Sequence, residues 1–239
     1  FKFKNIEDLQ LFPALEKVIK GSPFFEGIFE YQKQTFEKII SGKNVAITAP
    51  TGTGKTLSFI LPVIQKIINE GSYGKLHAII VTPIKALTSD QFEQIKRYTN
   101  CTDIRVGILT GDTSPEDKNE IIANPPEILL TNFDSIYTHL LHTTRFAALF
   151  SNFKILIVDE IHYYAGIHGS NIHHVIASLK RTNPNLQLIG ASATIDNLKQ
   201  FSQKLFDSSE IDIINSNQKN ALTEFVMMAP VGMSFTSLL

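Results

Sequence analysis

Short apolar runs alternate with amphipathic stretches along most of this chain. Seven runs have strand character, over 44–48, 77–82, 104–109, 127–131, 154–159, 186–191 and 211–215. The spacing between them predicts helices over 55–69, 84–97, 115–123, 133–141, 170–181 and 195–205. A run such as Ile155-Leu156-Ile157-Val158 offers no polar face, which suits a strand covered on both sides. Strand–helix alternation of this kind predicts an α/β fold: a doubly wound, mostly parallel sheet flanked by helices on both faces. Residues 1–40 read as a helical extension broken at Gly21-Ser22-Pro23, leading into a domain over 41–215. The polar run 216–220 reads as a linker, with 223–228 a further extended piece.

The chain has 239 residues, 43% of them hydrophobic, enough for one large domain or two small ones. Lys and Arg total 22 against 23 Asp and Glu. Near-neutrality neither supports nor excludes a polyanionic partner, because a local basic stripe can suffice. Cys101 is the single cysteine, so disulfide frameworks and cysteine-held zinc or iron–sulfur clusters within this chain are excluded. The chain reads as intracellular: no apolar run approaches a membrane span, and no signal peptide opens it. It begins at Phe1 and its last residues close nothing recognisable, so a piece of a longer protein is expected.

The segment Ala49-Pro50-Thr51-Gly52-Thr53-Gly54-Lys55-Thr56 adds chemistry to this frame. It follows a strand and opens a helix, so loop N–H groups and the helix dipole face one anion. Gly52 and Gly54 let the backbone curl around phosphates that side chains would obstruct. Lys55 can reach the β/γ-phosphates and the Thr56 hydroxyl can join a Mg²⁺ shell. Thr51, Gly52, Thr53, Gly54, Lys55 and Thr56 are therefore candidate nucleotide contacts. Ala49 stands where the general pattern has Gly, and a small residue suffices there.

A second anchor ends the run Ile155–Val158 in two carboxylates, Asp159-Glu160. Acids at the C-terminal edge of a parallel sheet lie where ligands bind in such folds. Asp159 is expected to hold Mg²⁺, usually through water, and Glu160 to orient and deprotonate an attacking water. A phosphate loop alone leaves many functions open; with this acidic pair, hydrolysis of a nucleoside triphosphate is favoured over a solvated acidic turn.

These segments together resemble the DExH-type helicases of superfamily 2. Residues 49–56 match motif I, and Asp159-Glu160-Ile161-His162 matches motif II. Ser192-Ala193-Thr194 matches motif III, which in that family links nucleotide state to nucleic-acid grip. The resemblance thus makes His162, Ser192 and Thr194 coupling residues. Tyr31-Gln32 is placed like the adenine-reading segment, an ordinary surface glutamine being the rival reading of Gln32. Thr82-Pro83-Ile84-Lys85-Ala86-Leu87 with Asp90-Gln91 looks like motif Ia, although Ile84 replaces a threonine. Pro83 and Lys85, at a helix N-terminus, can then hold a backbone phosphate. Thr110-Gly111 and Thr131-Asn132, each just after a strand, can extend that track or simply serve as turn and helix-cap residues.

The stretch 162–172 is similar to the His-x-Tyr-Arg-Gly-x-Phe-Gly-Ser-His-Val segment of mitomycin repair factor A and its Hrq-type relatives. Ala165 stands where that group has Arg, and Lhr-type helicases have a related Ala-Gly. Histidines 162, 168, 173 and 174 lack carboxylate or thiolate partners at ligand spacing, so zinc is not expected. The resemblance implies the first RecA-like motor domain of an ATP-dependent DNA helicase acting in repair or processing. It implies ATP and Mg²⁺ as cofactors, single-stranded or tailed DNA as partner, and a second RecA-like domain outside this chain that supplies an arginine finger. The rivals are an RNA-directed DExH helicase, a non-motor P-loop ATPase and a catalytically idle interaction domain. A Leu-Ser-Gly-Gly-Gln loop of transporter ATPases is absent from the sequence.

Overall fold

A computed structural model describes residues 4–21, 25–50, 52–142, 144–193 and 197–216. Two helices come first, α1 (Pro13–Lys20) and α2 (Glu30–Ile40), followed by β1 (Val45–Thr48), α3 (Lys55–Glu70), β2 (Ala78–Val81) and α4 (Lys85–Thr99). Then come β3 (Val106–Leu109), α5 (Pro115–Ala123), β4 (Ile128–Thr131), α6 (Phe133–His142), α7 (Thr144–Phe150) and β5 (Ile155–Val158). The chain continues through α8 (Ile167–Thr182), β6 (Gln187–Ser192), α9 (Leu198–Phe206) and β7 (Asp212–Asn215). The seven described strands form one sheet in the order β3-β4-β2-β5-β6-β1-β7, and each neighbouring pair runs parallel. The doubly wound parallel sheet predicted from the alternation is the observed fold.

Period two explains how it is held together. In β5, Ile155 and Ile157 enter one core with Phe59, Ile64 and Ile95 from α3 and α4. Leu156 and Val158 enter the other with Ile176, Leu179 and Phe206 from α8 and α9. All four β5 residues are fully buried, each contributing roughly 1.5–3 kcal/mol of apolar burial. Parallel register brings Ile79 beside Leu156 and Ala46 beside Gly190, so the C-terminal strand ends share one edge.

Two helical features depart from the sequence reading. The helix α7 was not predicted; Phe146, Leu149 and Phe150 give it a buried i, i+3, i+4 face. The helix α8 starts at Ile167 rather than 170 and runs through Gly169. A Cβ at Gly169 would lie 2.3 Å from the Tyr164 carbonyl oxygen, so only glycine lets this helix approach the 3₁₀ turn Ile161–Tyr164. Among the described residues, no helix is long and apolar enough to cross a membrane.

Candidate active site

The turn between β1 and α3 is shaped by two glycines with φ of +77° at Gly52 and Gly54, a region other residues enter at a cost. Loop geometry is braced from within and from α2. Thr53 Oγ1 donates to Pro50 O at 2.7 Å, and Tyr31 OH donates to Thr53 O at 2.6 Å. Burial pushes the Tyr31 hydroxyl up to about 12, keeping it a donor. Gln32 is buried, not a surface residue: its Oε1 accepts from Phe29 N at 2.8 Å and its Nε2 donates to Gly54 O at 3.0 Å. A Cβ at Gly54 would lie 2.6 Å from that Nε2, so any larger residue would push the Gln32 amide off the loop besides straining φ. Thr56 follows Lys55 in the first turn of α3. Thr51 lies outside the described residues.

From this loop Lys55 reaches the end of β5. Its Nζ lies 2.8 Å from Glu160 Oε1 and 3.8 Å from Asp159 Oδ1, although 105 positions separate Lys55 from Glu160. Lys55 and Asp159 are both buried. Burial raises the Asp159 carboxyl above its ordinary value, with the Lys55 charge opposing. Asp159 Oδ1 accepts from Glu160 N at 2.9 Å, and Oδ2 accepts from Gln91 Nε2. Glu160 occupies the left-handed region at φ 49° and ψ 47°, a conformation that costs on the order of 1 kcal/mol outside glycine and is common at functional turns.

Motifs II and III meet next. His162 Nδ1 lies 3.1 Å from Ser192 Oγ and 3.3 Å from Glu160 Oε2. Ala49 N donates to Ser192 O at 3.2 Å, tying the phosphate loop to the same strand end. Thr194 lies outside the described residues.

The segments after β2, β3 and β4 occupy the other half of this edge. Pro83 precedes α4, and the exposed Lys85 in its first turn pairs with Asp112, which joins the loops after β2 and β3. Gly111 is exposed, Thr110 is buried, and Thr110 N donates to Thr113 Oγ1 at 2.8 Å. Asn132 Oδ1 accepts from Ser135 N at 2.8 Å, capping α6. Thr131 is fully buried and its Oγ1 donates to Asn132 O at 3.4 Å; its side chain shapes the turn and cannot reach a surface ligand. Sequence reasoning missed Gln91, which the Asp90-Gln91 pair had placed on the nucleic-acid side.

A parallel α/β sheet with a phosphate-type loop after one strand and an acidic pair after another is the architecture of a P-loop nucleoside triphosphatase. The DEAD/DEAH box helicase family model matches residues 29–201, and the chain belongs to that family. It is 31% identical over 219 residues to an uncharacterized ATP-dependent helicase of Methanocaldococcus jannaschii, covering 87% of this chain and 30% of that protein. It is also 31% identical, over 249 residues, to the ATP-dependent helicase Lhr-Core of the same organism, covering 95% and 29%. Among solved structures, the DUF1998 helicase MrfA bound to DNA is similar with a TM-score of 0.80 at 27% identity, covering 90% of this chain and 31% of that one. The chain thus spans about a third or less of these relatives. The last two bear the names of the Lhr-type and MrfA-type helicases that the motif II stretch resembles.

Proposed function

We propose that this chain is the ATP-binding, RecA-like half of a DNA helicase motor, with the hydrolytic site at the C-terminal edge of β1 and β5. The convergence of Lys55 with Asp159 and Glu160 carries this reading. The residues fit Mg·ATP: a glycine-shaped loop with its backbone donors, one buried cation and two acids, one of them buried. When bound, the metal ion neutralises phosphate charge and activates the leaving group.

In this reading Gly52, Thr53, Gly54 and Lys55 bind the phosphates, with Thr51 assigned by its motif position. Thr56 and Asp159 hold Mg²⁺. Lys55 exchanges Glu160 for phosphate oxygens, which frees Glu160 to orient a water and take its proton. Gln32 supports the adenine side from beneath Gly54. His162 and Ser192, with Thr194, relay the state of Glu160 toward motif III.

Pro83, Lys85, Gly111 and Asn132 form the nucleic-acid track, where Lys85 exchanges Asp112 for a phosphate, while Thr110 shapes the turn that presents Gly111. Residues 1–40 serve as an extension that braces the loop, 41–215 as the motor domain, and 216–239 as a lead toward a second RecA-like domain. That domain supplies an arginine finger, worth about 10³–10⁵ in turnover in other nucleotide hydrolases. The likeness of its motif II stretch to mitomycin repair factor A supports a role in DNA repair or processing inside the cell.

ATPase assays on the full-length protein with single-stranded DNA or RNA of equal length test it. Stronger stimulation by DNA is expected. Preferential stimulation by RNA would assign an RNA-directed motor, and stimulation by neither would contradict the motor reading.

A further inference from the structure

The motif Ia helix does more in this molecule than present its N-terminus. Its exposed end carries Lys85, while two buried residues one turn apart, Thr88 and Gln91, face the sheet. Thr88 Oγ1 bonds Thr82 Oγ1 at the end of β2. Gln91 Nε2 donates to Asp159 Oδ2 just beyond β5. Gln91 is 8% exposed, and its Oε1 has no hydrogen-bond partner among the described residues. An unpartnered amide oxygen at such depth is costly, and this one sits on the residue that holds Asp159.

We propose that Gln91 is a positioning residue for the divalent cation: it fixes the Asp159 carboxylate from α4 and thereby ties cation affinity to what the N-terminus of α4 binds. The inference rests on the Mg·ATP reading above. Lys85 and Gln91 lie six residues apart on one helix, about 9 Å along its axis. A shift of α4 that accompanies phosphate binding at Lys85 therefore moves Gln91, and Asp159 with it. Linkage is reciprocal, so nucleic acid should raise cation affinity by the factor by which the cation raises nucleic-acid affinity.

The test is binding of a fluorescent non-hydrolysable ATP analogue to the full-length protein across a Mg²⁺ titration, with and without single-stranded DNA. In the wild type, DNA should lower the Mg²⁺ concentration for half-maximal binding. Gln91→Met, close in volume but without the amide, should raise that concentration about tenfold, the size of one hydrogen bond to a charged group, and should abolish the DNA effect. Thr88→Val removes the other tether of α4; it should lower thermal stability and leave the Mg²⁺ dependence unchanged, which separates positioning from packing. A Gln91→Met protein with wild-type Mg²⁺ dependence, or with an intact DNA effect, overturns the inference alone. A wild type whose analogue binding ignores Mg²⁺ would remove the nucleotide reading and the inference together.

Discussion

Two buried carboxylates at opposite edges of the sheet show how one chemical group serves two purposes. Glu127, 1% exposed, precedes β4 at the N-terminal edge. Its oxygens accept from Gly74 N at 2.5 Å and Arg105 N at 2.7 Å, with the Arg105 guanidinium at 3.4 Å. Asp159, 3% exposed, follows β5 at the C-terminal edge. One of its oxygens takes a backbone N–H, and the remaining partners are the side chains of Lys55 and Gln91. Backbone donors cannot leave without unfolding their strand ends, whereas side chains can turn to a ligand. The first carboxylate is a fastener; the second is fixed by Gln91 on one oxygen and faces a lysine that can turn to a ligand on the other, as a site that must accept a metal ion requires.

Substitutions break this comparison in different ways. The largest effect belongs to Glu160→Gln in the full-length enzyme: DNA-stimulated hydrolysis should fall by about 10²–10⁴, the usual worth of a general base, while nucleotide binding by fluorescence titration stays near wild type. At the opposite edge, Glu127→Ala should deprive two part-buried backbone N–H groups of their acceptor and lower folding stability by about 2–4 kcal/mol in urea titrations. Lys55→Ala should weaken nucleotide binding roughly 10- to 100-fold, the worth of charge-assisted hydrogen bonds to phosphate.

The most gradual effect, spread over more than two pH units, concerns His77, also at the N-terminal edge, where burial pushes the imidazole down to about 4 from 6.5. Between those pH values the unfolded chain takes up a proton that the folded chain refuses, so stability should fall as pH drops through that window. The change is on the order of 3 kcal/mol. His77→Gln should flatten the fall in pH-dependent denaturation curves; an unchanged slope would place its origin elsewhere.

Strand positions were legible because continuous apolar runs such as 155–158 are short, rich in β-branched residues and bounded by polar ones, which favours a doubly covered strand over a buried helix. The loop at 52–56 and the acids at 159–160 were legible as motifs, and parallel topology is what brings such strand ends to one edge. Other features depended on contacts that no local pattern encodes. Gly169 fell just outside the helix predicted over 170–181, yet it lies within the helix and its value is space beside Tyr164. Thr131 looked available after a strand, yet it is enclosed. Gln91 belonged to a nucleic-acid motif by position, and only the packing of α4 on the sheet turns it toward Asp159. The short helix α7 fell below the length at which periodicity distinguishes helix from loop.

The central claim is that one lysine and two acids converge on one triphosphate. A crystal structure of the full-length protein with Mg²⁺ and a non-hydrolysable ATP analogue tests it most directly. The account predicts Lys55 Nζ moved from Glu160 onto the β/γ-phosphate oxygens, with Asp159 in the metal's ligand or water shell and Glu160 facing the terminal phosphate. Phosphates seated away from residues 52–56, with Lys55 still paired to Glu160, would contradict it.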